Sequence, residues 1–168
     1  MAKVALFPYR LWFISLASNL QKPFTGWLIR FCGGVPLPED IHGMAALERG
    51  MEARIRGGAF VHFYPEGMLV PYHEGLRAFQ PGAFATAVRA GCPVVPMMLC
   101  RRPARGLWAW RKKPCFTLRI GAPLYADASL PKKQAARDLQ LRAEAAMLAL
   151  ERGETPPLAV GEPALDAE

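Results

Sequence analysis

Paired glycines and scattered prolines cut this sequence into short pieces, and those cuts constrain the fold more than any other feature. Gly33-Gly34, Gly57-Gly58 and Gly91 each follow a segment of helical spacing and precede a short apolar run. Glycine adopts the left-handed conformation that closes a helix, and proline, as at Pro23, is tolerated in a helix's first turn. The pieces that remain are short. No apolar run reaches the roughly 18 residues that a bilayer span needs, and the run near the start, Leu11 to Ala17, has no signal-peptide cleavage pattern. Any membrane contact is therefore expected to be peripheral.

Between the cuts the pattern alternates. Part of residues 4–17 reads as a strand, and Pro23 to Phe31 as a helix. Val35-Pro36-Leu37-Pro38 is extended, because each proline pushes the residue before it out of helical space. Asp40 is placed to cap a helix from Ile41 to Arg56, with Met44, Leu47, Met51 and Ile55 on one face. Ala59 to Tyr64 reads as a strand, Ala83 to Ala90 as a helix, and Pro93 to Leu99 as a strand buried on both faces. Phe116 to Ile120 follows as another strand. Ser129 is expected to cap a last helix, Leu130 to Glu151, with Leu139, Ala143, Ala146 and Leu150 on its buried face. This alternation predicts an α/β fold, with a mostly parallel central sheet flanked by helices. Residues 1–152 are expected to form a single domain and 153–168, rich in proline and acid, a disordered tail.

The formal net charge is +7, from 21 Lys and Arg against 14 Asp and Glu. A basic balance favours anionic partners, whether phospholipid, phosphorylated small molecule or nucleic acid, without choosing among them. The four cysteines form no CxxC pair and do not stand at zinc-site spacing with the three histidines. They read as buried, reduced thiols of a cytosolic protein, and no metal site is expected.

The loop from Pro65 to Pro81 is long for a compact domain, which marks it for function. The strand before it ends in Phe63-Tyr64-Pro65-Glu66-Gly67, so a proline fixes the chain direction, a carboxylate follows, and a glycine permits a sharp turn. Ligands of parallel sheets gather beyond the carboxyl ends of strands, where this loop lies. In that setting Pro65, Glu66, Gly67 and Arg77 are candidate substrate-binding residues. Glu66 suits a substrate hydroxyl and Arg77 a phosphate. The bland alternative is a solvated turn in which Arg77 pairs with Glu66.

Five blocks in order resemble the lysophosphatidate (1-acylglycerol-3-phosphate) acyltransferase-like superfamily of glycerolipid acyltransferases. They are Gly33-Gly34-Val35-Pro36-Leu37, Phe63-Tyr64-Pro65-Glu66-Gly67, Phe79-Gln80-Pro81-Gly82-Ala83-Phe84, Cys92-Pro93-Val94-Val95-Pro96 and Ile120-Gly121-Ala122-Pro123-Leu124. The resemblance implies transfer of a fatty acyl group from acyl-CoA or acyl-carrier protein to the hydroxyl of a lysophospholipid or glycerol phosphate, in phospholipid biosynthesis. It implies no metal or cofactor, and a place at the cytoplasmic face of a membrane. The family's general base is the His of an HxxxxD motif, oriented by the Asp.

This chain has no HxxxxD: the fifth residues after His42, His62 and His73 are Leu47, Gly67 and Ala78. No catalytic residue is therefore assigned. In the family the motif lies upstream of the matched blocks, so the expectation is an N-terminally incomplete version of a longer enzyme, inactive alone. A non-catalytic lipid-binding relative is the alternative. Two further departures are Pro38-Glu39-Asp40, where many members carry a phosphate-contacting Arg, and Met68-Leu69-Val70, where the best-known members carry Thr-Arg-Ser. Arg77 or Arg30 is then left to meet a phosphate. His62 reads as structural, and His42 and His73 as solvent-exposed.

Arg101 to Lys113 holds six cations in 13 residues with Trp108 and Trp110 among them. Tryptophan favours the bilayer interface, and each cation near an anionic surface contributes about 1 kcal/mol. Trp108, Trp110, Arg111 and Lys112 are the expected membrane contacts. The same composition suits single-stranded nucleic acid, but no nucleic-acid motif accompanies it, and no nucleic-acid partner is expected.

Overall fold

The computed structural model describes residues 10–67, 75–102 and 115–154. Strand β1 (Leu11–Leu16) runs between two parallel neighbours. From its end, two helices, α1 (Ala17–Leu20) and α2 (Pro23–Phe31), return the chain to β2 (Gly34–Leu37), where Ile14 stands opposite Val35. Helix α3 (Ile41–Arg56) then carries it to β3 (Phe60–His62) on the other side of β1, with Trp12 opposite Val61. Parallel neighbours require such crossovers, because a tight turn cannot join them. The resulting order is β2-β1-β3, the centre of an α/β fold whose parallel sheet is flanked by helices.

Local chemistry explains these boundaries. Pro23 opens α2. The Asp40 carboxylate accepts from the Gly43 N–H at 2.6 Å and caps α3. Leu47 and Met51 on the predicted face are buried, Met51 completely. The Arg54 guanidinium lies 4.4 Å from the centre of the Trp12 ring and ties α3 to β1. Helix α4 (Gly82–Ala90) is held to α3 by Arg89, which donates to Glu48 at 2.9 Å, Glu52 at 3.4 Å and the Thr86 hydroxyl at 3.3 Å. Arg56 closes the network by pairing with Glu52 at 2.8 Å and donating to the Arg89 carbonyl.

The chain divides into two compact units, Met1–Cys92, which contains everything so far, and Pro93–Glu168. In the second unit β4 (Met97–Arg102) pairs with β5 (Cys115–Ile120), Leu99 opposite Leu118, and helix α5 (Lys132–Arg152) follows. Leu139, Ala143, Ala146 and Leu150 are buried on α5 as its periodicity predicts. Arg119 of β5 donates to the carbonyls of Leu150 and Glu151, placing a cation at the helix's C-terminus, where the dipole favours it.

Three expectations are corrected. The last two strands do not extend the parallel sheet. They form a separate antiparallel pair, which needs no crossover helix, and the sequence between them has no helical pattern. The apolar run from Pro93 does not make a strand buried on both faces. Pro93 and Pro96 lack ladder donors, regular pairing starts at Met97 after a single bridge from Val94 to Leu124, and Leu99 is 48% exposed. Ser129 does not cap α5. Its N–H and hydroxyl both donate to the Asp127 carboxylate, at 2.8 and 2.7 Å, which holds that carboxyl below its usual range, and the helix starts after Pro131.

The four cysteines are thiols rather than disulfide halves, and half-buried rather than fully so. Among the described residues no helix is long and apolar enough to cross a membrane. The expected tail beyond Glu154, and the part of the expected first strand before Arg10, lie outside the described residues.

Candidate functional site

Strand β3 delivers the chain to the loop through His62, whose ring meets Tyr64 edge-on with centroids 4.7 Å apart. Burial pushes the His62 imidazole below its ordinary value, so it is neutral at pH 7. His42 is exposed, and His73 lies outside the described residues.

The next four residues form a turn: the Gly67 N–H donates to the Tyr64 carbonyl at 3.1 Å. Proline second and glycine fourth are the choices a type I turn favours. Gly67 has φ +75°, a conformation that costs any residue with a Cβ. A Cβ there would also stand 3.1 Å from Cγ of Gln80.

Gln80 has a second part. Its N–H donates to the Pro65 carbonyl at 2.6 Å, so the start of the loop is bonded to its return. The return is anchored just beyond. Phe79 and Phe84 are both buried and stack with ring planes 10° apart and centroids 6.1 Å apart. The Thr86 hydroxyl, wholly buried, donates to the Gly82 carbonyl at 2.9 Å and secures the first turn of α4. The Phe-x-x-Gly-Ala-Phe block is thus a core anchor, and the residues ahead of it inherit its position.

Among the described residues, two charged groups of this loop are left without partners. Glu66, at the third position of the turn, is half-buried, and no hydrogen bond or ion pair among the described residues engages it. Arg77, three residues before Gln80, is half-buried, and its Nη1 is fully buried with no hydrogen-bond partner. The two are not paired with each other, so the bland alternative of a self-neutralised turn is not what forms. Arg142 also leaves Nη1 unbonded, yet it holds Asp138 at 2.7 Å and the Tyr125 carbonyl at 2.7 Å, which explains its place. Among the described residues Arg77 has no such bonds. A buried guanidinium N–H without an acceptor costs about 1–3 kcal/mol, and a carboxylate or phosphate is the group that satisfies it.

Pro65, Glu66 and Gly67 are therefore brought together with Gln80, which sequence reasoning did not single out. Its backbone amide carries the contact, and a backbone role leaves no signature in residue type. Arg77 lies on the same returning segment of the loop. Arg30, in the last turn of α2, is exposed. Trp108, Trp110, Arg111 and Lys112 lie outside the described residues. Among the described residues no cluster of His, Cys, Asp and Glu is arranged to hold a metal.

A family model described as Acyltransferase matches residues 1–100. A 1-acyl-sn-glycerol-3-phosphate acyltransferase from Pseudomonas aeruginosa is 30% identical over 132 residues, covering 75% of this chain and 49% of that protein. A chloroplastic 1-acyl-sn-glycerol-3-phosphate acyltransferase of Brassica napus is 38% identical over 90 residues, 52% of this chain and 25% of that protein. The chain thus spans about half or less of the length of these curated relatives. Among solved structures, the 1-acyl-sn-glycerophosphate (LPA) acyltransferase PlsC from Thermotoga maritima aligns with a TM-score of 0.48 at 21% identity, covering 80% of this chain and 56% of that one.

Proposed function

The chain belongs to the Acyltransferase family, and from that premise we propose that it forms the acceptor-binding part of a glycerolipid acyltransferase acting in phospholipid biosynthesis. The reaction joins a fatty acyl group, carried as a thioester on coenzyme A or acyl-carrier protein, to the hydroxyl of a lysophospholipid or glycerol phosphate. An ester forms, and the donor's thiol leaves with the hydroxyl's proton. The relatives named for 1-acyl-sn-glycerol-3-phosphate support an acceptor of this kind.

The observation that carries the reading is Arg77, whose Nη1 is buried without an acceptor just before the Gln80–Pro65 junction. A phosphate monoester supplies the missing acceptor with charge. Glu66, at the neighbouring turn and unpaired among the described residues, is suited to accept from the glycerol hydroxyls and orient the backbone of the acceptor. Gly67 lets that turn form. The family's base is the histidine of HxxxxD, and no such spacing occurs in this sequence. The residues here therefore bind and position, and this chain alone turns over no substrate. Residues 1–152 are read as one acyltransferase-like domain peripheral to a membrane, on its cytoplasmic side.

The test is an affinity comparison. The chain is titrated with a short-chain lysophosphatidate below its micelle concentration and with the phosphate-free monoacylglycerol of the same chain length. Lysophosphatidate binds more tightly, and Arg77→Gln removes about 10- to 100-fold of that affinity, the worth of a charge-assisted hydrogen bond. Equal binding of the two ligands, or an unchanged affinity in Arg77→Gln, overturns the reading.

A further inference from the structure

Helix α2 is packed with its large residues outward. Phe24, Trp27, Leu28 and Phe31 stand at i, i+3, i+4 and i+7, one stripe of a helix, and they are 75, 62, 44 and 75% exposed. The opposite side carries Gly26, which is buried. A Cβ on Gly26 would collide with the Leu20 carbonyl, so that side fits closely against the turn leaving α1. A helix on a water-facing surface ordinarily shows the reverse, with apolar residues in and polar ones out. The Trp27 and Phe31 rings are stacked, planes 13° apart and centroids 5.6 Å apart, which makes the exposed face a flat aromatic surface. Leu16, at the end of β1, is 58% exposed as well.

Charge identifies the partner. Lys22 stands immediately before α2 and Arg30 in its last turn, both exposed, and no acidic residue occurs anywhere before Glu39. Exposed aromatic residues with flanking cations and no acids match the headgroup region of an anionic bilayer, where Trp rings sit and Lys and Arg meet lipid phosphates. A protein partner of matching charge would have to bring acids to a face that is itself almost wholly apolar, where they would be desolvated without pairing.

We propose that the Phe24–Trp27–Phe31 face of α2, with Lys22 and Arg30 at its ends, is a docking surface for an anionic lipid bilayer. This deepens the proposed function by placing the lipid surface on a part of the chain separate from the tryptophan-rich segment around Trp108. Partition into vesicles is read without acyl donor or acceptor, so its failure leaves the Arg77 affinity test standing, and the reverse holds too.

The experiment is flotation of the chain with vesicles of phosphatidylcholine alone and of phosphatidylcholine with phosphatidylglycerol. The chain floats with the anionic vesicles. The double variant Phe24→Ser/Phe31→Ser lowers partition by about tenfold or more, with its circular-dichroism melt unchanged, because both side chains are exposed. Lys22→Glu/Arg30→Glu removes the preference for anionic over neutral vesicles. Should the serine variant melt early, a chain keeping Trp27 as its single tryptophan decides the matter: bromine-labelled lipid quenches it. The proposal is overturned by wild-type chain that stays with the protein fraction, by a well-folded serine variant that floats like wild type, by an unquenched Trp27, or by a self-associated chain that the serine variant makes monomeric.

Discussion

The backbone N–H of Gln80 lies 2.6 Å from the carbonyl of Pro65, and this bond joins the two ends of the loop that carries the candidate site. Through it the position of Glu66 depends on the buried packing beneath the loop, above all the stacked pair Phe79 and Phe84. Packing, local turn geometry and binding are therefore linked, and each link makes an expectation.

The Phe79–Phe84 pair is core first. Both rings are buried, so Phe84→Ala is expected to cost about 3–5 kcal/mol, the usual range for a large aromatic lost from a packed interior. Denaturant unfolding followed by tryptophan fluorescence measures it. A cost under 1 kcal/mol would mean that the pair does not anchor the loop return.

At Gly67 the backbone, not crowding, sets the cost. The nearby Gln80 side chain is exposed and can shift, whereas φ +75° cannot be relaxed without undoing the turn. Gly67→Ala should cost about 1–2 kcal/mol. Gly67→Asn should recover at least half of that, since Asn enters the left-handed region more readily. If Asn and Ala are equally destabilising in the same unfolding assay, steric contact dominates instead.

Arg89 tests how firmly α4 is held to α3. Its partners Glu48 and Glu52 are partly exposed, so solvent screening limits the network, and Arg89→Met is expected to cost about 1 kcal/mol. For a chain of this size that lowers the melting midpoint by about 2–4 °C. Added salt should narrow the gap between the variant and wild type.

His62 gives the pH dependence a definite sign. Burial lowers its folded pKa below 6.5, so the unfolded chain takes up a proton at a higher pH than the folded one. Its contribution is present above the unfolded value and is lost as pH falls through the folded value. Melting midpoints measured from pH 7.5 down to pH 5 should drop, and His62→Phe should flatten that drop. An identical slope in the variant would remove His62 as its source.

Much of the first unit was legible because its boundaries are local. Pro23 and the Asp40 cap fix helix starts within a few residues, and α2 and α3 begin and end where those signals put them. Strand pairing is not local. Nothing between Leu99 and Leu118 in the chain says that they face each other, so the sequence pattern alone continues the parallel sheet where an antiparallel pair forms. At Ser129 two local rules compete, and the acceptor two residues back wins over the helix ahead. The turn at Glu66 was marked by its residue types, while its bond to Gln80 runs through a backbone amide that every residue but proline possesses. The spacing of apolar residues on α2 does not by itself say which way that face points. Only Gly26 against Leu20 decides that.

The central claim is that a phosphorylated acceptor settles between the Glu66 turn and Arg77, and amide and guanidinium NMR tests it most directly. During titration with short-chain lysophosphatidate, the Gly67 and Gln80 amides and the Arg77 side-chain resonances should shift together with one dissociation constant. Shifts that leave those three unmoved while clustering elsewhere in the chain would contradict it.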